Sequence, residues 1–223
     1  SFFVVMLSTP VILAFERQQQ EMALAEVAQQ QSATELQLLQ QQVNPHFLFN
    51  TLNNLYALTL SGSVQAPAMV LQLANLLRYT VYEGQAPRVT LAQEVQYLQD
   101  FLALQRIRSA DKCQLSVTWP EQAEHWYIAP LLLIIVLENA FKHGVEPSQS
   151  ACSVELSLTV EHGWLHMRCC NSMPEGVRNA AAGVGQENLR RRLSLLYAGK
   201  HSFDTTQQAG RWCTELTLEL EPC

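Results

Sequence analysis

Charge is scarce in this chain. Of its 223 residues only 15% are Asp, Glu, Lys or Arg, and of the 14 basic residues just Lys112, Lys142 and Lys200 are lysines. Against 20 acidic residues this leaves a formal net charge of -6, which excludes a general nucleic-acid binder but leaves room for a local anion site. Also missing is any CxxC pair. Cys113, Cys152, Cys169, Cys170, Cys213 and Cys223 show no framework spacing, so reduced thiols in a cytosolic compartment are expected rather than disulfides or structural zinc. What the chain has in quantity is apolar material, 48% of it, enough for one large core or two small ones.

Ser1 to Phe15 contains no charge at all and is followed at once by Glu16 and Arg17. Such a run is shorter than the roughly 20 residues that span a bilayer, and it fits the end of a transmembrane helix over residues 1–17 better than a signal peptide. A buried N-terminal helix is the alternative. From Gln18 to Gln42 the sequence is rich in Gln, Glu and Ala without Gly or Pro, and Leu36, Leu39 and Val43 keep the 3/4 spacing of a coiled-coil seam. A long helix and a dimer are expected there. Asn44 to Arg108 stays helical in character, broken near Ser61-Gly62-Ser63 and Gly84 to Pro87, so that helical hairpins from two chains would form a four-helix bundle.

After Arg108 the periodicity changes. Cys113 to Trp119, Cys152 to Val160, Trp164 to Cys170 and Trp212 to Leu220 alternate like strands, while Pro130 to His143 and Gln186 to Tyr197 read as helices. The expected fold is therefore α+β and multidomain. It comprises a linker and hairpin region over 18–110, then an α/β sandwich over 111–223 whose sheet is covered on one face by helices.

Asn44-Pro45-His46-Phe47-Leu48-Phe49-Asn50 is the most unusual segment. A proline inside a helix removes one amide donor and strands the carbonyl of Gln41, at a cost of about 3 kcal/mol. Helical geometry puts Asn50 one turn beyond His46 on the same face, with Asn53 next along it. A neutral imidazole is a nucleophile near pH 7, and a neighbouring amide can orient its second nitrogen. The bland alternative is a histidine that fills space and bonds the carbonyl freed by Pro45.

A second cluster emerges from the apolar run Ile128 to Leu137, which leads into Glu138-Asn139-Ala140-Phe141-Lys142-His143-Gly144. The spacing collects Glu138, Asn139, Lys142 and His143 on one side of a helix. The Asn139 amide oxygen suits Mg²⁺, Lys142 and His143 suit phosphate oxygens, and Glu138 can orient water or accept a proton. A surface Glu138–Lys142 pair on a helix ended by Gly144 accounts for the same letters. Further on, Gly183 and Gly185 precede a helix bearing Asn188 and Arg190 to Arg192, an arrangement that lets backbone amides approach a phosphate. His162, His166, Cys169 and Cys170 suggest a metal site, but adjacent strand residues face opposite ways.

Together these segments resemble the LytS/YehU-type sensor histidine kinases, whose phosphoacceptor motif NPHFLFN is matched letter for letter by residues 44–50. The likeness runs over residues 36–221. It takes in Leu77-Arg78-Tyr79, Leu91, Glu94, Tyr97 and Leu98, the box from Pro130 to Gly144, Gly183 to Asn188, and Arg192-Leu193. It implies a membrane-anchored homodimeric kinase with a Bergerat (GHKL) domain that carries ATP and Mg²⁺ to His46. Asn139 would hold the metal, and Lys142, His143, Asn171, Gly183, Gly185, Asn188 and Arg192 would surround the nucleotide. Glu138 and Asn50 would assist His46, which would pass its phosphoryl group to an aspartate of a response regulator. The chain departs from the family pattern in its D-x-G-x-G segment, where Asn171 stands at the adenine-contacting aspartate and the glycines are largely missing, and at Gln186, where the family has a leucine. A dimeric signalling scaffold with weakened catalysis, and a GHKL ATPase without phosphotransfer, are the rival implications.

Overall fold

A computed structural model of the chain describes residues 17–18, 22, 45–109, 112–148, 151–173, 184–208 and 210–223. Two compact units are present, Ser1–Asn44 and Pro45–Cys223. In the first, residues 17–18 and 22 are helical, and most of the expected membrane segment and coiled coil lies outside the described residues. Among the described residues no helix is long and apolar enough to cross a membrane.

The second unit opens with the helices that the sequence breaks mark out. Helix α1 spans Pro45–Leu60 and α2 spans Ala66–Tyr82, joined by a turn in which Gly62 takes the left-handed conformation at φ 66°. Met69, Leu73, Leu76 and Thr80 are buried on one stripe of α2, as a 3.6-residue period requires. Strand β1 (Val89–Thr90) then leads into α3, Leu91–Ser109. Its start carries a reciprocal cap: the Gln93 amide donates to Thr90 Oγ1 at 3.3 Å, and the Thr90 amide donates to Gln93 Oε1 at 2.9 Å. Leu91, Leu98 and Leu104 are fully buried along α3, and Arg106 and Arg108 in its last turn complement the helix dipole.

Strands β2 (Cys113–Thr118), β4 (Cys152–Glu161), β5 (Trp164–Ser172), β6 (His201–Gln208) and β7 (Arg211–Glu219) form one sheet in the order β2-β4-β5-β7-β6. Among the described strands of this sheet only β2 and β4 run parallel. Val154, Leu156, Leu158, Leu165, Met167, Leu216 and Leu218 are buried on one face, while Glu155, His166 and Arg168 look the other way. This is the one-sided burial of a sheet with a solvated face. A smaller antiparallel sheet joins β1, β3 (Trp126–Ile128) and β8 (Glu221–Pro222), tying the entry to α3 to the end of the chain. Helix α4 (Leu133–Ala140) and helix α5 (Val184–Leu196) complete the α+β layering.

One expectation is overturned. Cys170 and Cys213 form a disulfide, because the register of β5 against β7 sets them directly opposite each other with Cα atoms 4.1 Å apart. Cys113, Cys152 and Cys169 are buried thiols.

Candidate functional site

Helix α4 is apolar over most of its length, with Leu133, Ile134, Val136 and Leu137 buried, and it delivers Glu138 and Asn139 half-exposed at its C-terminal end. Beyond Ala140 the backbone widens into a π turn, Phe141–Val145, closed by the Glu146 amide on the Phe141 carbonyl at 2.9 Å. Single π turns within helices recur at functional sites because the extra residue re-aims the side chains beyond it. Here Phe141 is buried while Lys142 and His143 are exposed. Partial burial of its ring, and then the neighbouring Lys142 charge, hold His143 below the ordinary histidine pKa, so it favours the neutral form.

Two close approaches of glycine backbone assemble the site. A Cβ on Gly185 would stand 3.2 Å from Asn139 Oδ1 and 3.5 Å from its Nδ2, so the first turn of α5 lies directly against the Asn139 amide. A Cβ on Gly144 would fall 2.8 Å from both Cβ and Cγ of Asn171, closer than real side chains come. The turn after α4 therefore rests on strand β5 through Asn171, which is buried and donates its amide to the Ser172 carbonyl at 3.0 Å. Asn139, Gly185, Gly144 and Asn171 are thus brought into one neighbourhood, although they come from three separate segments. Gln186 is buried beside them, Asn188 is exposed on α5, and Gly183 lies outside the described residues.

His46 stands in the first turn of α1, with Asn50 half-buried one turn on. From the intervening turn an aromatic series leads towards the site. The Phe47 ring packs 5.1 Å from Phe101 of α3, which meets Phe141 of the π turn edge-on at 5.7 Å. Arg108 sits over the Phe47 ring at 5.9 Å and pairs with Glu146 at 3.3 Å. Glu138 lies on the side of α4 towards α3: after burial, its charge is among the causes that raise the Tyr97 hydroxyl pKa.

Arg192 is placed differently from the sequence expectation. Its guanidinium donates to the carbonyls of Leu131 at 3.0 Å and Pro130 at 2.9 Å, at the opposite end of α4 from Asn139. A largely buried guanidinium has to satisfy its donors locally, and these carbonyls are within reach. Sequence reasoning also passes over Glu94. Its fully buried carboxylate accepts the Tyr79 hydroxyl at 2.8 Å and the amides of Leu131 at 2.5 Å and Leu133 at 3.4 Å. Burial raises the Glu94 carboxyl above the ordinary carboxylate range, and those donors with Arg192 offset only part of the rise. The only signal for it in the sequence is its presence among the letters of the family likeness.

Residues 34–113 match the histidine kinase family. Sensor protein LytS of Bacillus cereus is 27% identical over 171 residues, covering 77% of this chain and 28% of its own length. An uncharacterized sensor-like histidine kinase of Staphylococcus epidermidis is 30% identical over 200 residues, covering 82% of this chain and 39% of its own. Among solved structures, the catalytic domain of histidine kinase ThkA aligns with 61% of this chain and 97% of its own at a TM-score of 0.44 and 9% identity. The chain therefore spans less than two fifths of the length of these two curated relatives.

Proposed function

We propose that this chain, which resembles the LytS-type sensor histidine kinases, is the kinase portion of a two-component sensor that phosphorylates itself on His46 from ATP and passes the phosphoryl group to a response-regulator aspartate. The observation that carries the proposal is the placement of the Gly185 backbone against the Asn139 amide. Two segments that on their own are weak signals, a Glu-Asn helix end and a glycine-bearing loop, meet at one point.

These residues fit ATP with magnesium. The approach at Gly185 is a cradle that any side chain would begin to fill, and Asn139 offers a hard oxygen donor of the kind magnesium takes. When bound, the metal supplies charge neutralisation on the phosphate oxygens, the main requirement of phosphoryl transfer. Asn139 would hold the metal, and the amides around Gly183 and Gly185 at the start of α5 would bind phosphate oxygens. Lys142 and a neutral His143 stand on the exposed side of the π turn to meet the same anion, with Asn188 on α5 beside the loop. Asn171, beneath Gly144, would contact the base. A ring nitrogen of His46 would form the bond to phosphorus as the β,γ-bridging oxygen leaves, with Asn50 orienting the imidazole and Glu138 accepting its proton.

The hairpin supports homodimerisation. Phe49, Tyr56 and Leu60 on α1 and Leu71 and Tyr82 on α2 are each more than 60% exposed, an apolar surface that a second copy would cover as a four-helix bundle. Ser1 to Phe15 supports a membrane anchor for residues 1–17, with residues 18–110 and 111–223 on the cytoplasmic side.

A second reading, a signalling scaffold with weakened nucleotide binding, rests on Asn171, whose amide is already given to Ser172 and which carries no charge. Incubation with γ-labelled ATP and Mg²⁺ separates the two. Acid-labile, alkali-stable label that disappears in His46→Ala is expected; label retained in His46→Ala defeats the assignment. ATP hydrolysis without label would indicate an ATPase, and neither hydrolysis nor label a scaffold.

A further inference from the structure

The five residues before and into α4, Ala129 to Leu133, are buried, and side chains from α3, from α5 and from Tyr197 just beyond α5 hold their backbone polar groups. The Ala129 amide donates to the Tyr197 hydroxyl at 2.8 Å. Arg192 of α5 binds the Pro130 and Leu131 carbonyls, and Glu94 of α3 accepts the Leu131 and Leu133 amides. Leu131 itself adopts φ 55°, a left-handed conformation that costs a leucine roughly 1 kcal/mol or more and persists only where its surroundings over-determine it. Every group facing the Glu94 carboxylate through a hydrogen bond is a donor: the Tyr79 hydroxyl from α2 and two amides, with the Arg192 charge nearby. An acceptor-only carboxylate satisfies the whole set, whereas an amide side chain keeps one oxygen for Tyr79 and Leu131, which share Oε1, and turns an N–H on the Leu133 amide.

We propose that Glu94, braced by Tyr79 and Arg192, is the positioning residue that sets the start of α4 against the hairpin, and so governs phosphoryl transfer rather than nucleotide binding. This deepens the kinase reading above and rests on it. Glu94 connects α2 and α3, the helices next to the phosphoacceptor segment, to the end of α4 opposite Asn139. Losing its bonds would tilt the box helix relative to α1 and leave the contacts between Asn139, Gly185, Gly144 and Asn171 in place. Misplacement of reacting groups by about 1 Å can cost on the order of a hundredfold in rate.

The test compares Glu94→Gln, Glu94→Asp and Tyr79→Phe with the unaltered chain. It measures the rate of acid-labile labelling, Mg·ATP affinity by calorimetry, and hydrogen exchange at the Leu131 and Leu133 amides. Glu94→Gln is expected to slow labelling about tenfold or more, to leave Mg·ATP affinity within about threefold, and to speed exchange at the Leu133 amide more than at Leu131. The shorter Glu94→Asp should fail to rescue, and Tyr79→Phe should shift rate and exchange the same way by less. Parallel loss of affinity and rate, full rescue by Asp, or unchanged labelling would each overturn the assignment. Should Glu94→Gln not fold, Tyr79→Phe, which keeps the carboxylate, decides by the same readouts. Absence of labelling in the unaltered chain would strike the kinase reading instead. The exchange result then decides the strut: faster exchange in folded Glu94→Gln sustains it, and unchanged exchange overturns it.

Discussion

At its N-terminal end α4 is gripped by Glu94, Arg192 and Tyr197, all of them reaching its backbone from other segments, whereas its C-terminal end unwinds into a π turn that exposes Lys142 and His143. The first end is buried, and its polar groups are satisfied by side chains. The second meets the rest of the molecule through the Gly185–Asn139 and Gly144–Asn171 approaches, the Phe141–Phe101 ring contact and the Arg108–Glu146 pair, and it exposes Lys142 and His143. A helix anchored at one end can present chemistry at the other without demanding both rigidity and access of the same residues. Polar groups lock the buried end because no water is there to replace them.

The comparison breaks most readily at the open end. Asn139→Ala should lower labelling of His46 by on the order of a hundredfold, as removal of one preorganised electrostatic partner does, with little change in thermal stability. A loss of stability as large as the loss of labelling would mean that the open end is structural after all. Gly144→Ala should act oppositely, through packing. Its Cβ would enter within 2.8 Å of Asn171, and the resulting strain of about 1–3 kcal/mol should appear as a lower urea midpoint. An unchanged midpoint would show that Asn171 moves aside freely. A smaller effect is expected at the α3 cap. Thr90→Ala removes one side-chain acceptor and should cost about 1 kcal/mol, roughly 2–4 °C in Tm, without altering Mg·ATP affinity.

The smallest effect concerns His143. Because its folded pKa lies below the ordinary value of about 6.5, the stability it contributes is present above that value and is lost as the pH falls through the folded pKa. His143→Gln should therefore flatten the fall of Tm on acidification below about pH 6.5, by less than about 2 °C since the ring is exposed. An identical pH profile for the two proteins would remove His143 from the acid response.

Much of the fold is legible in the sequence because its signals are local. The breaks near residues 61 and 84 separate α1, α2 and α3, and the alternation of β4, β5 and β7 follows directly from one buried face. Strand β6 is not legible in the same way. His201 to Gln208 is polar except for Phe203, and it forms a strand because β7 offers it a partner at the edge of the sheet. The Glu138-Asn139 box and Gly185 stand out as candidates, since their chemistry is written in residue type. That they meet does not, because the approach depends on how α5 packs against α4. The family likeness sets Arg192 at the nucleotide, and in the fold its guanidinium donates to the Leu131 and Pro130 carbonyls.

By itself, then, the sequence determined the helical and strand periods and the residue types of the Asn44 to Asn50 and Glu138 to Gly144 segments, because each of these depends on neighbours within a few residues. Tertiary structure alone decided the pairing of Cys170 with Cys213, the apposition of Gly185 with Asn139 and the burial of Glu94 among donors. Each needs groups from distant segments to share a few ångströms of space, and strand register and helix packing supply that proximity.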